Sequence, residues 1–350
     1  MRTIFTALFF LFSSQVWSYD TNFYSSNDDD NDIVLTSESE HVWKEFEFFQ
    51  KKYNKVYNSI ETLEHRFGIF KDNMRFILDH NLNSYSNFSL GINQFADLTN
   101  EEYKKHYVSG TRVGSYGCSV YENDNTDVID SKNWVTDGAV TSVKDQGQCG
   151  SCWTFSATGA IEGAMAVYKN YLVNLSEQEL VDCATGFKYG SHGCNGGQME
   201  GAFKYVMENG QCALSEYPYV SGTTTTSNDE CMSCDPVAQI SNCYDVNPND
   251  QISMKNAVFQ QPVAVAIEAD TRYFQMYSNG VLDSDQCGTQ LDHGVLTVGY
   301  GTENGVKYWL VKNSWGTSWG EDGYVKIGRS DSMDDPGICG IAMDPSFPVV

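Results

Sequence analysis

The stretch Gln146-Gly147-Gln148-Cys149-Gly150-Ser151-Cys152-Trp153 carries the sharpest chemical signal in the chain, and three chemistries compete for it. Read as Cys-x-x-Cys, it is half of a zinc site, with Cys231-x-x-Cys234 as the other half, or it is a thiol redox couple. The two pairs lie far apart, no histidine cluster accompanies them and no strand-helix-strand context is evident, which weakens both readings. In the third reading Cys152 is a nucleophile in the first turn of a helix. There the amide dipoles favour a thiolate, and the Gly-Ser approach leaves backbone room for a substrate. A thiolate needs a proton partner. His293, in Leu291-Asp292-His293-Gly294 just before an apolar run, lies 141 residues downstream and stands out among the six histidines. A neutral imidazole needs its second nitrogen held to fix tautomer and aim, and Asn313, in Lys312-Asn313-Ser314-Trp315-Gly316, can hold it.

These residues need elements to position them. Cys152 to Lys169 alternates Trp153, Phe155, Ile161 and Val167 with Gly and Ala, the composition of a buried helix. Ser176-Glu177-Gln178-Glu179 reads as a capping box opening another helix, so the region from Cys149 to about Tyr217 is mainly helical. From Pro262 the period changes: Val263, Val265 and Ile267 alternate with Ala264, Ala266 and Glu268. Three further strand-like runs, Val295–Val298, Tyr308–Val311 and Tyr324–Ile327, are separated by the turn signals Asn304-Gly305 and Asp322-Gly323. A helical half followed by an antiparallel β half predicts an α+β molecule of two lobes with a cleft between them. Upstream, Trp43, Phe46, Phe49, Tyr53 and Val56 recur at helical spacing over His41–Tyr57, and Leu63, Phe67, Phe70, Met74, Ile77 and Asn81 mark a second amphipathic helix. Ser109–Gly114 and Tyr121–Asp127 break all periodicity, which makes this stretch a domain boundary open to proteolysis.

Composition narrows the function. The 350 residues, 41% apolar and 13% aromatic, suffice for a sizeable core. The net charge of −24 repels phosphate backbones and anionic bilayers, so neither nucleic acid nor membrane is an expected partner. Both parts are acidic, with 11 basic against 18 acidic residues up to Thr126 and 11 against 28 after it. Eleven cysteines favour an oxidising compartment. Met1-Arg2, the apolar run Ile4–Val16 and the small Ser18 fit a removed secretory signal, the run being too short to span a bilayer. The acidic Ser25–Asp32 stretch that follows reads as a spacer.

Taken together, Cys149-Gly150-Ser151-Cys152-Trp153, His293 and Asn313 resemble the papain family of cysteine proteases, close to the cathepsin L type and in zymogen form. The spacing from Cys152 to Asn313, 161 residues, is slightly long, as a surface-loop insertion would explain. The likeness extends upstream. Arg66, Ile69, Phe70, Asn73, Ile77 and Asn81 match the interrupted helix motif of family propeptides, and Gly91-Ile92-Asn93-Gln94-Phe95-Ala96-Asp97 their short second motif. The leading Glu61 stands one residue early, with Thr62 in its expected place, which puts one propeptide salt bridge in question.

The resemblance implies a papain-like fold: a helical N-terminal lobe and an antiparallel β-barrel-like C-terminal lobe, preceded by a helical propeptide. It implies a signal peptide at 1–18, a propeptide at 19–126 with its inhibitory part at about 38–110, and a mature peptidase at 127–350. The implied activity is peptide-bond hydrolysis by a Cys152–His293 thiolate–imidazolium pair. Asn313 would orient the ring, Gln146 and the Cys152 amide would form the oxyanion hole, and Trp315 would shield the His293–Asn313 bond. No metal or cofactor is called for, and the implied partners are protein and peptide substrates and the chain's own propeptide, in a monomer. A lysosome-like vacuole or the extracellular space is the implied destination. The rival, a catalytically silent binding protein or inhibitor on the same scaffold, predicts a substituted nucleophile or histidine, whereas Cys152, His293, Asn313 and Gln146 are all present.

The resemblance also pairs Cys149 with Cys194, Cys183 with Cys231, and Cys287 with Cys339, leaving Cys234 as a competing partner for Cys183. Cys212, Cys234 and Cys243 exceed the family's usual set. If Cys118 departs with the propeptide, one thiol besides Cys152 is left over. The expected substrate pocket is walled by Gly197, Gln198, Met199, Ala266 and Leu291 and floored by Asp344, an apolar site where a carboxylate also admits Arg or Lys. Asn87-Phe88-Ser89 and Asn174-Leu175-Ser176 are glycosylation acceptors if exposed. Asp97, if ionised and hydrogen-bonded in the propeptide, is a candidate acid switch for release.

Overall fold

Apolar stripes at helical spacing build the N-terminal part. In the computed structural model, which describes residues 37–83, 85–108, 117–123, 128–226 and 230–350, helices α1 (Ser37–Lys52) and α2 (Ile60–Asn81) carry Phe46, Phe49 and Phe70 into one buried cluster with Ala96. The proposed signal segment and Asp127 lie outside the described residues. Helix α1 ends five residues earlier than its periodicity suggests. Asn54 adopts a left-handed φ of 53° and turns the chain, so that Lys55 and Tyr57 reach Asp97 instead of continuing the helix. Ser59 caps α2 by accepting from the Thr62 amide at 3.1 Å.

The two propeptide motifs are clasped together by side-chain to backbone bonds. Asn73 Nδ2 donates to the carbonyls of Ala96 and Leu98, and Asn81 pairs with both backbone groups of Leu90. Arg66 finds its carboxylate in Glu102, at 2.6 Å, so the displaced Glu61 leaves no guanidinium unpaired there. Glu102 belongs to the short helix α3 (Asn100–Tyr103), closed by a Thr99–Glu102 capping box and continued by a π turn over Lys104–Val108. Strand β1 (Phe88–Leu90) pairs antiparallel with β8 (Tyr277–Leu282) and covers an otherwise open edge.

The remaining elements, in chain order, are β2 (Ser119–Val120), β3 (Lys132–Asn133), α4 (Cys152–Lys169), α5 (Glu177–Cys183), α6 (Met199–Asn209), β4 (Gln211–Cys212), α7 (Ser221–Thr224), β5 (Pro236–Ala238), β6 (Asn242–Asp245), α8 (Gln251–Gln260), β7 (Val263–Ile267), α9 (Arg272–Gln275), β9 (His293–Glu303), β10 (Val306–Lys312), β11 (Tyr324–Gly328) and β12 (Ser346–Val349). Helix α4 is buried nearly all round, which its Gly and Ala positions permit. A Cβ on Gly159 would come within 2.7 Å of Leu296, and one on Gly163 within 2.5 Å of Pro262. Strand β7 is buried on both faces. Val263, Val265 and Ile267 enter the core of the β half, while the small Ala264 and Ala266 face the helical half with Ala157, Ala160 and Ile161.

The main sheet runs β1-β8-β11-β10-β9-β7-β12-β6-β2, with β3 added on β9, and this path does not close. Among the described residues the sheet of the β lobe is thus barrel-like without closing, and it is mixed where an antiparallel one was expected, since β8–β11 and β2–β6 are parallel. Asn304 and Gly305, at φ 50° and 84°, make the β9–β10 hairpin turn. Asp322-Gly323 forms a tight turn of the same sign, but it joins Glu321 to Tyr324 and does not link β10 to β11. The longer β10–β11 connection carries Asn313, Ser314 and Trp315.

A buried ion cluster ties the lobes beneath that connection. Lys144 Nζ donates to Glu162 Oε1 on α4 at 2.9 Å and to Glu177 Oε1 on α5, and Lys312 Nζ at the end of β10 donates to Thr141, which in turn donates to Glu162. Burial pulls the Lys312 ammonium down to about 8. Lys144 also loses solvation, but the two glutamates more than offset it and hold its pKa above the ordinary value. Deleting one partner of such a buried cluster strands a charge, at roughly 3–5 kcal/mol.

Candidate active site

Cys152 opens α4 and is buried. Its N-cap, Ser151, makes no side-chain bond to the first turn, so those amides keep their dipoles for the sulfur and whatever approaches it. All other cysteines are crosslinked: Cys118–Cys243, Cys149–Cys194, Cys183–Cys231, Cys212–Cys234 and Cys287–Cys339. Cys152 alone stands outside the disulfides. The zinc and redox readings lose their ligands, since Cys149, Cys231 and Cys234 each have a sulfur partner. The expected leftover thiol also disappears, because Cys118 and Cys243 bond to each other.

Strand β9 brings His293 to this sulfur. The Gly294 amide donates to Cys152 Sγ at 3.3 Å, and a Cβ on Gly294 would lie a tight 3.2 Å from Trp153 Cα, so glycine eases the meeting of strand head and helix head. On its far side His293 Nε2 is 2.8 Å from Asn313 Oδ1. That oxygen also accepts from the Ser314 amide, a group that can only donate, which identifies it as the amide oxygen. Nε2 therefore carries the proton, and the Nδ1 lone pair is left buried without a hydrogen bond. Trp315 stacks on the ring at 4.6 Å and 27°. Burial lowers the His293 pKa to about 4, against a smaller upward pull from Asn313, so the ring is neutral in this closed form.

Gln146 is aimed by Ser314, whose hydroxyl donates to Oε1 at 2.7 Å, leaving Nε2 as the outward donor. Nε2 donates to the Cys149 carbonyl at 3.0 Å and, at 3.4 Å, to the carbonyl of Tyr107 in the π turn. Residues 91–108 cover the rest of the site. Phe95 and Tyr103 pack edge-on against Trp315, and Gln94 Nε2 donates to the Trp315 carbonyl at 2.7 Å. Arg272, at the head of α9, reaches Asn73 Oδ1 on α2 at 2.7 Å.

A sequence model described as papain family cysteine protease matches residues 127–349. The chain belongs to the papain family of cysteine proteases. Its covering segment matches, over residues 46–103, the family described as cathepsin propeptide inhibitor domain. The chain is 44% identical over 339 residues to the probable cysteine protease RD21B of Arabidopsis thaliana, a match covering 95% of this chain and 70% of that protein. It is 46% identical over 299 residues to cysteine proteinase RD21A of the same plant, covering 83% of this chain and 63% of that protein. Among solved structures, digestive procathepsin L 3 of Tenebrio molitor larval midgut superposes with a TM-score of 0.79 at 38% identity, covering 88% of this chain and 99% of that one. As a papain-family member with an inhibitor domain, the protein is a peptide-bond hydrolase made as a zymogen.

In this papain-family chain, Met199 and Ala266 lie in one apolar cluster with half-buried Leu291 packed against it. Gln198 precedes α6 as its N-cap, and Gly197 lies under Trp153, whose ring a Cβ would approach to 2.5 Å. Trp315, also expected at the substrate site, lies in the β-lobe core and stacks on His293. Asp344 faces carboxylates: burial and Asp245 raise its pKa to about 7, and Glu200, also raised well above the usual range by burial, feels Asp344. Asn87 and Asn174 are both exposed. Asp97 is buried and bonded to Lys55 and the Tyr57 hydroxyl, each at 2.8 Å. Motif reading missed Ser314, which fixes both Asn313 and Gln146. It also missed Asp292, whose carboxyl burial lifts to about 8 directly beside His293, against the Ala269 amide that it accepts. Only Asp292 had a signal, its place next to the histidine.

Proposed function

We propose that Cys152, His293, Asn313 and Gln146 are the catalytic residues of a cysteine endopeptidase, and that residues 91–108 inhibit it by occupying its cleft. One observation carries the reading: the Cys152 sulfur lies against the backbone that delivers His293, whose other nitrogen is tied to Asn313. With the proton on Nε2, Nδ1 can take the thiol proton. The thiolate attacks the scissile carbonyl, and the developing oxyanion accepts from Gln146 Nε2 and the Cys152 amide. His293 then protonates the leaving amine, and water hydrolyses the thioester with the ring as base. In the zymogen the Tyr107 carbonyl takes the Gln146 donor in the place of a substrate carbonyl. The reading also takes 1–18 as a signal, 19–126 as propeptide and 127–350 as peptidase. It places the product in an acidic vacuole or outside the cell, as five disulfides favour.

Acid opens this arrangement through His293. A ring held near 4 in the closed zymogen binds fewer protons than a ring free to titrate near 6.5, so the closed form weakens as pH falls from about 6.5 toward 4 and is unaffected above that window. An epoxide-type thiol inhibitor should therefore label the intact chain slowly at pH 7 and stoichiometrically after acidification to pH 4, with the adduct mapped to Cys152. Labelling at another residue, or acid-treated protein that cleaves peptides without being labelled, would reject the assignment and favour the silent-scaffold reading or another chemistry.

Asp344 gives the pocket a second pH dependence. Its carboxyl, raised by burial and by the neighbouring Asp245, is neutral below about 7 and anionic above, so attraction for a basic side chain exists only on the alkaline side. The ratio of Arg to Leu cleavage two residues before the cut should rise several-fold between pH 5.5 and 8, and Asp344→Ala should flatten it. An unchanged slope in Asp344→Ala assigns the effect elsewhere.

A further inference from the structure

The Cys118–Cys243 disulfide joins parts of the chain that the family matches separate. Cys118 lies after the inhibitor match ending at 103 and before the peptidase match beginning at 127, while Cys243 is fully buried on β6 within the peptidase body. The bond is supported on both sides. Strand β2 pairs in parallel with β6, Ser119 opposite Tyr244 and Val120 opposite Asp245. The Tyr121 amide donates to the Asp245 carbonyl at 2.8 Å. The Tyr121 ring is buried edge-on against Phe347 at 5.2 Å, and its hydroxyl accepts from Gln260 Nε2 at 2.8 Å. Asn123 Nδ2 donates to Ser253 on α8 at 3.2 Å. Disulfide, strand pairing, buried aromatic and side-chain bond all point into the peptidase.

We propose that residues 117–123 are a covalent strap of the peptidase, so that cutting the chain after Asn123 does not free the inhibitor. The inference rests on the zymogen reading above. With the peptide bond hydrolysed downstream of the strap, residues 42–108 remain linked through Cys118 and Cys243. A tethered inhibitor meets its cleft at an effective concentration on the order of mM, so inhibition outlasts the cut. Two routes end it. A second hydrolysis on the N-terminal side of Cys118 releases the inhibitor and leaves the strap on the mature enzyme. Alternatively, a dithiol reductant attacks the disulfide: the S–S bond breaks, Cys118 and Cys243 leave as thiols, and the reductant is oxidised to its own cyclic disulfide. Activation by a downstream cut alone is thereby made redox-dependent.

The test is acid processing of the full chain in the absence of reductant, followed by iodoacetamide alkylation and intact-mass analysis before and after dithiothreitol. Every processed species should retain Cys118 bound to Cys243, either as one chain beginning upstream of Cys118 or as two chains that separate only with dithiothreitol. A mature species lacking residues 117–123 before reduction, with Cys243 alkylated, overturns the proposal. Cys118→Ser, processed in parallel, should shed its inhibitor after the downstream cut without dithiothreitol; if that variant fails to fold, the wild-type masses still decide. Where the chain does not process itself, added pepsin supplies the cuts, so loss of catalytic function and loss of the strap are read separately.

Discussion

Replacing Cys152 with serine should lower kcat on a peptide substrate by about 10⁵- to 10⁶-fold while leaving the melting temperature within a few degrees. The substitution is nearly isosteric, so α4 and the Gly294 contact survive and the loss is chemical. A serine hydroxyl is far weaker as an acid than a thiol, and neither the helix dipole nor a neutral His293 can ionise it at mildly acid pH. The two-step path through a thioester is then closed, and what remains is binding and the oxyanion donors, worth about 10³–10⁴ over water in comparable triads. The comparison uses zymogens processed by added wild-type enzyme, which is then removed, because the variant cannot process itself. Residual kcat above about 1% of wild type, resistant to the epoxide label, would mean that the sulfur is not the nucleophile. Loss of folding, seen as a fall of more than ten degrees, would instead place Cys152 in the core and leave the chemistry to another group.

How much of this could be read from the chain depends on how far each partner lies in sequence. Helix α4 and the Asn304-Gly305 turn are local, and their residues announce them. The capping box at Ser176 is half right for the same reason. Ser176 accepts from the Glu179 amide as expected, but the Glu179 carboxylate is drawn away to the Cys212 amide and the Tyr205 hydroxyl, partners that only the fold supplies. Asp322-Gly323 is a turn as its residues demand, yet which strands it joins is a tertiary matter. The ion cluster of Lys144, Glu162, Glu177 and Lys312 was invisible, since charged residues in a sequence read as surface until burial is known. Cys118–Cys243 was equally hidden: surplus cysteines have many possible pairings, and proximity alone selects one.

The same logic explains why the lobes meet where the chemistry is. Small residues at Gly159, Gly163, Ala264, Ala266 and Gly294 let α4 lie directly on the β lobe, and at the three glycines a Cβ would press on Leu296, Pro262 and the Trp153 backbone. Close approach fixes Cys152 against β9, and the ion cluster beneath fixes β10, so the connection bearing Asn313, Ser314 and Trp315 starts from a rigid base. Ser314 then couples the two halves of the site, with its amide setting Asn313 and its hydroxyl setting Gln146.

That coupling makes Gln146→Ala the sharper probe of how the site stabilises charge. The variant should lose roughly 10²- to 10³-fold in kcat, or about 2.7–4 kcal/mol, with little change in KM. The reason is differential. In the zymogen Gln146 Nε2 makes neutral bonds, at 3.0 Å to the Cys149 carbonyl and a looser 3.4 Å to that of Tyr107, whereas an oxyanion draws the same donor into a short, charge-assisted bond. Propeptide affinity should therefore fall by less than about tenfold in the same variant, a neutral hydrogen bond being worth about 0.5–1.5 kcal/mol. Gln146→Glu separates geometry from charge: it keeps the length and the reach of Ser314 but presents a carboxylate to the oxyanion, and should be at least as inactive as alanine. If instead Gln146→Ala raised KM and left kcat intact, the residue would be holding substrate and transition state equally, and the stabilising donors would have to be sought among the amides of the first turn of α4 alone.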